Sequence, residues 1–144
     1  MPRETAHEPH EPTLTDLATV AAMVEEIESI KTRPAEWSGG ERGAEGAIQM
    51  PFATYAPAAE RLLRAIYEHN LIVSFDWTSW EAEAQRFLDP AVANTASVEE
   101  IRRLLTLHFR KERFVEGHFA EMISNGHIGV LLRRLGTLIE DRST

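Results

Sequence analysis

The segment 104–118, LLTLHFRKERFVEGH, concentrates the side chains of this sequence that could do chemistry. Its hydrophobic spacing predicts a helix, so these side chains would lie within about four turns. His108 lies on the predicted buried side of this helix. The cations of the segment are Arg110, Lys111 and Arg113, and its carboxylates are Glu112 and Glu116. Such a group could bind an anion, hold a metal or move a proton.

An anion site would use Arg103, Arg110 and Arg113, which helical spacing aligns on one stripe. Planar guanidinium groups bind carboxylates and phosphates in a bidentate manner. The alternative is internal pairing, because the same stretch carries carboxylates close enough to pair with these arginines. Those carboxylates are Glu99, Glu112 and Glu116. Exposed ion pairs of that kind are common on helices and contribute little stability.

A metal site could draw on His108, His118 and His127 together with Glu116 or Glu121. No two of these histidines are four residues apart, and the His-Glu-x-x-His pattern of a helical zinc site is missing. The chain has no cysteine, which excludes thiolate ligands and thiol catalysis. The spacing therefore predicts neither a metal nor any other cofactor.

Acid–base chemistry would need Glu116 and His108 in one pocket, where each could tune the other. Glu116 followed by Gly117 has a structural alternative, since a carboxylate at a helix start is favoured by the helix dipole. Ser124 and Thr106 lack the strained turn that exposes a nucleophilic hydroxyl. We therefore predict no catalytic residue.

A nucleic-acid role has one sequence pattern to test, because residues 115–138 suggest a helix, a turn with glycine and a second helix. The second helix begins His127-Ile128-Gly129, where base-reading side chains would be required, and Arg133 comes too late. The chain carries a net charge of −8 and only residues 97–144 are not acidic overall, which argues against nucleic acid. Mimicry of nucleic acid by the acidic part remains a further alternative.

Hydrophobic periodicity predicts an all-α fold, a compact bundle of five or six helices with a long glycine-rich loop. The predicted helices cover about 15–31, 57–69, 77–88, 98–112, 115–124 and 128–140, with 98–112 at the centre. Thr13 with Asp16 and Ser97 with Glu100 have the spacing of helix-capping pairs. Residues 1–12 suggest a disordered leader and 13–142 a single helical domain. The apolar run 71–75 is either a minor strand or a buried connector.

Residues 33–55 form the least regular stretch and contain four glycines. A loop of this length is either a mobile surface segment or a functional lid, which Trp37 and Phe52 would anchor. The glycines do not make a phosphate-binding motif, since no Gly-Lys-Ser or Gly-Lys-Thr follows. The sequence also shows no signal peptide and no apolar run of membrane-spanning length, so we expect a cytoplasmic protein.

The sequence resembles a family of small uncharacterised bacterial proteins, a domain of unknown function. The resemblance rests on three stretches of the printed sequence: Phe75-Asp76-Trp77-x-x-Trp80, Leu104-Leu105-Thr106-x-His108-x-Arg110-x-x-Arg113-Phe114-x-Glu116-Gly117, and Gly126-His127-Ile128 with Leu132-Arg133-Arg134-Leu135. The Trp37 to Pro51 loop is similar but weaker. The resemblance implies no activity; it points to the Arg-x-x-Arg-Phe-x-Glu-Gly core as the first choice of site.

Two functions follow from these patterns. The first is a non-enzymatic binding or regulatory module, with a homodimer as one arrangement, that binds another protein through helical faces and the 33–55 loop. The alternative is a small-molecule or nucleotide-handling protein, with catalysis left open. Its pocket would bind a small anionic ligand through Trp37, His108, Arg110, Arg113 and Glu116. The two differ in whether the arginines are used up by internal carboxylates or converge on an open cleft.

Overall fold

The computed structural model describes residues 11–39 and 52–143, and within these ranges the chain is mostly α-helical. This confirms the predicted fold class. The helices are α1 (Leu14–Ala21), α2 (Val24–Ser29), α3 (Pro57–Glu68), α4 (Glu81–Gln85), α5 (Pro90–Ala93), α6 (Val98–Lys111), α7 (His118–Ser124) and α8 (His127–Ser143). Two strands, β1 (Ala35–Ser38) and β2 (Phe52–Tyr55), pair as an antiparallel hairpin.

The core is one cluster of buried side chains that α6 and α8 share with the helices around them. α8 packs on α1, α2, α5, α6 and α7. α6 buries residues on most of its circumference, which is the arrangement expected for a helix predicted to be central. The first turn of α8 is also buried, at His127, Ile128 and Gly129.

Both predicted capping pairs are confirmed as complete capping boxes. Thr13 and Asp16 exchange hydrogen bonds with each other's backbone amides at the start of α1. Ser97 and Glu100 do the same at the start of α6. Each box satisfies two amide groups that a helix start leaves without an intrahelical partner.

The single first helix predicted over 15–31 is wrong, because the chain breaks between α1 and α2. The Met23 amide bonds to the Val20 carbonyl three residues back, and Met23 has a ψ of 0°. That tighter turn rotates the following residues relative to the first helix. Both α1 and α2 still pack on α8. The break changes the direction of the chain so that the apolar residues of both helices face α8.

The apolar run 71–75 forms no strand and is a buried connector. Asn70 has a left-handed φ of 66°, and the next residue, Leu71, is fully buried. Side chains of α6 then hold the connector. Arg102 donates to the carbonyls of Asn70 and Leu71, and the Thr106 hydroxyl accepts from the Val73 amide at 2.9 Å. Because helix side chains satisfy this backbone, it needs no strand partner.

The predicted helix 77–88 is divided into a 3₁₀ turn (Thr78–Trp80), α4 and a second 3₁₀ turn (Arg86–Leu88). Phe75 and Trp80 form an edge-on ring pair with centroids 5.8 Å apart. Phe87 is buried, whereas Leu88 is 37% exposed, because the turn to 3₁₀ geometry changes the direction of the last side chains.

The helix predicted from residue 115 begins three residues later, at His118. Gly117 has a φ of +93°, which lies outside right-handed helical geometry, so the preceding residues form turns. The last helix starts at His127 as α8 and extends to Ser143, slightly beyond its predicted end.

The stretch 33–55 is not entirely a loop, because its two ends are β1 and β2. The register pairs Ala35 with Tyr55 and Trp37 with Ala53. Short segments of this kind lack a clear apolar alternation, which is why the sequence suggested a loop. Residues 40–51 of the predicted glycine-rich loop and residues 1–10 of the predicted leader lie outside the described residues.

Candidate functional site

The hairpin lies across the start of α7, and Tyr55 connects the two. The Ala120 amide of α7 donates to the Tyr55 hydroxyl oxygen at 3.3 Å. Burial raises the pKa of Tyr55 strongly, and a hydrogen bond to Glu112 raises it further. Glu112 also accepts from the Gly117 and Phe119 amides at 3.0 and 2.8 Å. A carboxylate from the end of α6 therefore caps α7 and binds the hairpin tyrosine.

Trp37 lies on Gly117 at the edge of this junction. A Cβ atom added to Gly117 would be 2.5 Å from Cζ2 of the indole, so only glycine allows this close approach. The indole nevertheless remains 56% exposed. The indole thus lies close against the Gly117 backbone at one edge, while more than half of the side chain is exposed.

Glu116 forms a hydrogen bond to the backbone of β2. Its carboxylate accepts from the Ala53 amide at 3.0 Å, on the edge of β2 that faces away from β1. Glu116 and Gly117, which end the predicted core motif, therefore both help to position the hairpin. Glu116 holds β2 and Gly117 makes room for Trp37 of β1.

Between the hairpin and α7 lies a cavity of about 580 Å³, which we call the hairpin cleft. Its volume is within the range of small-ligand pockets. One wall is the segment from Thr32 to Trp37 and the other is formed by residues 115–118 and the exposed side of α7. The polar side chains of the lining are Thr32, Arg33, Glu116, His118, Glu121 and Ser124.

Three buried histidines lie behind this wall, and we call them the histidine cluster: His108, His118 and His127. The rings of His118 and His127 each have their centroid 5.0 Å from that of His108. His108 Nδ1 and His118 Nε2 share a hydrogen bond of 2.9 Å. The Nε2 atoms of His108 and His127 are buried without a hydrogen-bond partner among the described residues. His118 belongs to the cleft as well, so it connects the two features.

Burial is the main influence on the cluster, and it keeps these rings neutral at pH 7. It lowers the pKa of His127 to about 4, with the neighbouring His118 adding to the effect. Burial also lowers the pKa of His118, with help from the charge of Lys111. The pKa of His108 is lowered well below its usual value by burial and by the two other histidines. Removing a charged imidazole from water is unfavourable, so the neutral form is preferred.

Neutral imidazoles are also the form that binds metals. No group of three or more histidine, aspartate or glutamate side chains in the described ranges is arranged to hold a metal ion. In the cluster, His108 Nδ1 and His118 Nε2 face each other in a hydrogen bond.

The structure brings together only some of the side chains predicted to share a site. Trp37 and Glu116 line the hairpin cleft. His108 does not line it but is hydrogen-bonded to His118, which does. Arg110 and Arg113 do not line the cleft. The Arg110 guanidinium lies 5.8 Å from the ring centre of Phe109, and Arg113 is exposed.

The expected internal pairing of the arginines is also only partly found. Arg103 pairs with Glu99 at 3.3 Å. Among the residues that the structure describes, Arg110 and Arg113 form no ion pair. The carboxylates expected to pair with them, Glu112 and Glu116, bind backbone amides instead. Amide groups at helix and strand ends need a partner more than exposed guanidinium groups do.

Sequence reasoning missed Arg33, Glu121 and Ser124 as cleft residues. Glu121 and Ser124 lie four and seven residues after Gly117, a spacing that places them on one face of a helix. That spacing could have identified them. Arg33 gave no comparable signal, because it reaches the cleft only through the turn that leads into β1.

Replacing Gly117 with alanine is expected to destabilise the protein by about 1–3 kcal/mol. The cost combines the strain of a non-glycine residue at φ +93° with displacement of Trp37. Urea unfolding measures the change in free energy. The matched control is Gly136→Ala in α8, where the nearest atom to the new Cβ is 4.0 Å away and helix propensity predicts a gain of up to about 1 kcal/mol. A gain for both variants would contradict the tight Trp37 contact.

In the described ranges the protein is mostly helical, with a β-hairpin that forms a cleft against a short helix. The chain belongs to a family of unknown function (DUF6508), whose family model matches residues 12–141. No curated protein and no solved structure matches the chain significantly. None of the helices in the described ranges is long and apolar enough to cross a membrane.

Proposed function

We propose that this protein is a non-enzymatic binding module whose hairpin cleft takes a ligand with a positive charge and an apolar or flat part. The observation that carries the proposal is the indole of Trp37, which Gly117 supports from behind and which is still more than half exposed at the cleft. An exposed aromatic ring held in one position binds flat groups and cations at low entropic cost.

The charges in the cleft favour a cation over an anion. Glu116 and Glu121 are exposed carboxylates of the lining. The opposing charge, Arg33, has Glu36 at 3.8 Å, although both side chains are well exposed and the pair is weak. His118 is neutral at pH 7, because burial lowers its pKa. The cleft and its immediate surroundings therefore carry net negative charge, as the chain does.

The small anionic ligand expected from the sequence loses part of its support. Its recognition depended on Arg110 and Arg113 beside Trp37, and neither arginine lines the cleft. A small-molecule protein that handles an anion or nucleotide thus remains a weaker alternative. Bacterial origin, a cytoplasmic location and homodimer formation likewise remain proposals from the sequence.

A catalytic role has one observation in its favour. His118 is in the cleft wall, and its Nε2 atom is hydrogen-bonded to His108, as a general base is oriented by a second group. Thr32 and Ser124 carry the hydroxyl groups of the lining, and the Ser124 hydroxyl donates to the Lys31 carbonyl at 3.2 Å rather than to a histidine. We therefore place binding before catalysis.

The proposal can be tested by two-dimensional NMR titration with small probes of opposite charge. Arginine amide and spermidine serve as cationic probes, and inorganic phosphate and citrate as anionic ones. We expect the cationic probes to shift the Trp37 indole and Gly117 amide signals. Trp37→Leu should weaken this binding about three- to tenfold, as loss of a cation–π contact does.

Tyr67→Leu is the matched control, since Tyr67 is an exposed aromatic residue outside the cleft lining. It should leave the affinity unchanged. Signal shifts from the anionic probes alone would overturn the charge assignment, and no shift from any probe would overturn the binding proposal. Conversion of a bound probe, followed in the same spectra, would favour catalysis through His118.

A further inference from the structure

We propose that the outer edge of β1 accepts an extended, basic peptide segment of a partner as a third strand of the hairpin sheet. This rests on the proposed binding function and names its ligand class. Addition of a strand to an open sheet edge is a common mode of peptide recognition.

The register shows which backbone groups face outward. The Ala56 amide donates to the Pro34 carbonyl at 2.9 Å. With the observed register, the backbone polar groups of residues 34, 36 and 38 therefore point towards β2. The Ala53 amide, opposite Trp37, points away from β1 to Glu116. Antiparallel pairs alternate between bonded and non-bonded positions, so Ala35 and Trp37 direct their amide and carbonyl groups to the outer edge of β1. Within the described residues the sheet has two strands and nothing pairs with this edge.

The hairpin cleft provides space along this edge. Ala35 and Trp37 both line it, with residues of α7 on the opposite side. The four residues of β1 span about 13 Å, a length that a short extended segment can follow. Side chains of an added strand alternate in direction, so every second one would meet the cleft or the indole of Trp37.

Charge favours a basic segment over a second copy of this chain. Glu116 and Glu121 line the cleft, and Glu36 lies on β1 itself. If two copies paired β1 with β1 through both outward-facing residues, Glu36 would lie directly opposite Glu36 of the other copy. Like charges directly opposite in a sheet are destabilising. A segment that alternates lysine with apolar residues avoids this repulsion and offers ammonium groups to the carboxylates.

The probe for the test is an acetylated and amidated octapeptide of alternating valine and lysine. Fluorescence anisotropy measures its affinity, and NMR measures amide hydrogen exchange in the protein. We expect binding together with slower exchange of the Ala35 and Trp37 amides. A peptide of the same sequence that is N-methylated at every peptide bond should bind about tenfold or more weakly, because it has lost its backbone donors.

The protein variant is Ala35→Pro, which removes one outward-facing donor and leaves the bonds to β2 in place. We expect about a tenfold loss of affinity for the valine–lysine peptide. Ala35→Val is the matched control, since it keeps the amide and should leave the affinity within about twofold. The contact of Trp37 with Gly117, followed by nuclear Overhauser effects, checks that the proline variant keeps the hairpin in place.

Each other outcome overturns the inference in a different way. Equal binding of the N-methylated peptide, with unprotected Ala35 and Trp37 amides, would reject strand addition while the cleft remains a binding site. Equal affinity for an alternating valine–glutamate peptide would reject the basic class. Slower exchange at β1 that depends on protein concentration without peptide would indicate pairing between copies. No peptide binding, with Trp37 still shifted by arginine amide, would reject the inference and leave the proposed function intact.

Discussion

Lowering the pH from 6.5 to 4 is expected to cost the folded protein about 3 kcal/mol through His127 alone. Its pKa is about 4 in the folded chain and about 6.5 when the chain is unfolded. Well above pH 6.5 the ring is neutral in both states and contributes little pH dependence. Below pH 6.5 the unfolded chain binds a proton that the folded chain excludes, so the free energy of unfolding falls until the folded pKa is reached.

His108 and His118 act in the same direction, since burial lowers both of their pKa values below the usual range. The charged groups near the cluster modify this loss without reversing it. Lys111 favours the neutral histidines, whereas nearby carboxylates such as Glu121 oppose the shift of His118. The lowered pKa of Asp16, which comes mainly from its hydrogen bond with His69, adds acid sensitivity only below about pH 4.

Urea unfolding at a series of pH values tests this expectation. The histidine cluster predicts a small slope between pH 7 and 8 and a steep fall between pH 6.5 and 4. His127→Gln removes one of the buried titrating groups. The free energy of unfolding of this variant should therefore fall less steeply as the pH is lowered, by about the contribution of one bound proton. A free energy of unfolding that stays constant down to pH 4, or equal slopes for the two proteins, would contradict burial of neutral His127.

Replacing Arg102 with alanine is expected to lower the free energy of unfolding by about 3 kcal/mol. The side chain is 6% exposed, which is exceptional for arginine. It donates to the carbonyls of Asn70 and Leu71 and pairs with Glu11 at 3.0 Å. Its removal leaves two carbonyl groups without their donor and opens space beside the fully buried Leu71.

Arg133→Ala is the control for this prediction. Arg133 is 56% exposed and pairs with Glu28 at 3.7 Å, so its loss should cost less than about 1 kcal/mol. Arg102→Lys keeps the charge but loses the fork of donors, and it should fall between wild type and the alanine variant. Thermal or urea unfolding compares all four proteins. Similar costs for Arg102→Ala and Arg133→Ala would show that the connector does not depend on the buried guanidinium.

Much of the helical fold could be predicted because helix boundaries are set by neighbours in sequence. Each capping box is complete within four residues, so Thr13 to Asp16 and Ser97 to Glu100 define helix starts without help from the rest of the chain. The last helix was predicted by periodicity at 128–140, and α8 buries Ile128, Leu131, Leu132 and Leu135 at that helical spacing. The break at Met23 was not predictable, because packing of α1 and α2 on α8 decides where the helix bends.

The candidate site was predictable in part for the same reason. Trp37 and Glu116 were chosen as site residues and do line one cleft. Arg110 and Arg113 were chosen because helical spacing aligned them, but spacing does not say which way a stripe faces in the folded protein. The three histidines are brought together although their sequence spacing gave no sign of it. Their spacing along the chain predicted no joint site, whereas the ends of three helices bring His108, His118 and His127 together.

The sequence by itself determined the helical class, the capped starts of α1 and α6 and most of the apolar core, since these depend on side chains a few residues apart. The tertiary structure decided the hairpin, the cleft and the histidine cluster. The bond between Ala53 and Glu116 joins residues 63 positions apart, and Trp37 meets Gly117 across an even longer separation. Contacts of that range form only when the core has placed α6, α7 and the hairpin against one another, so local patterns do not encode them.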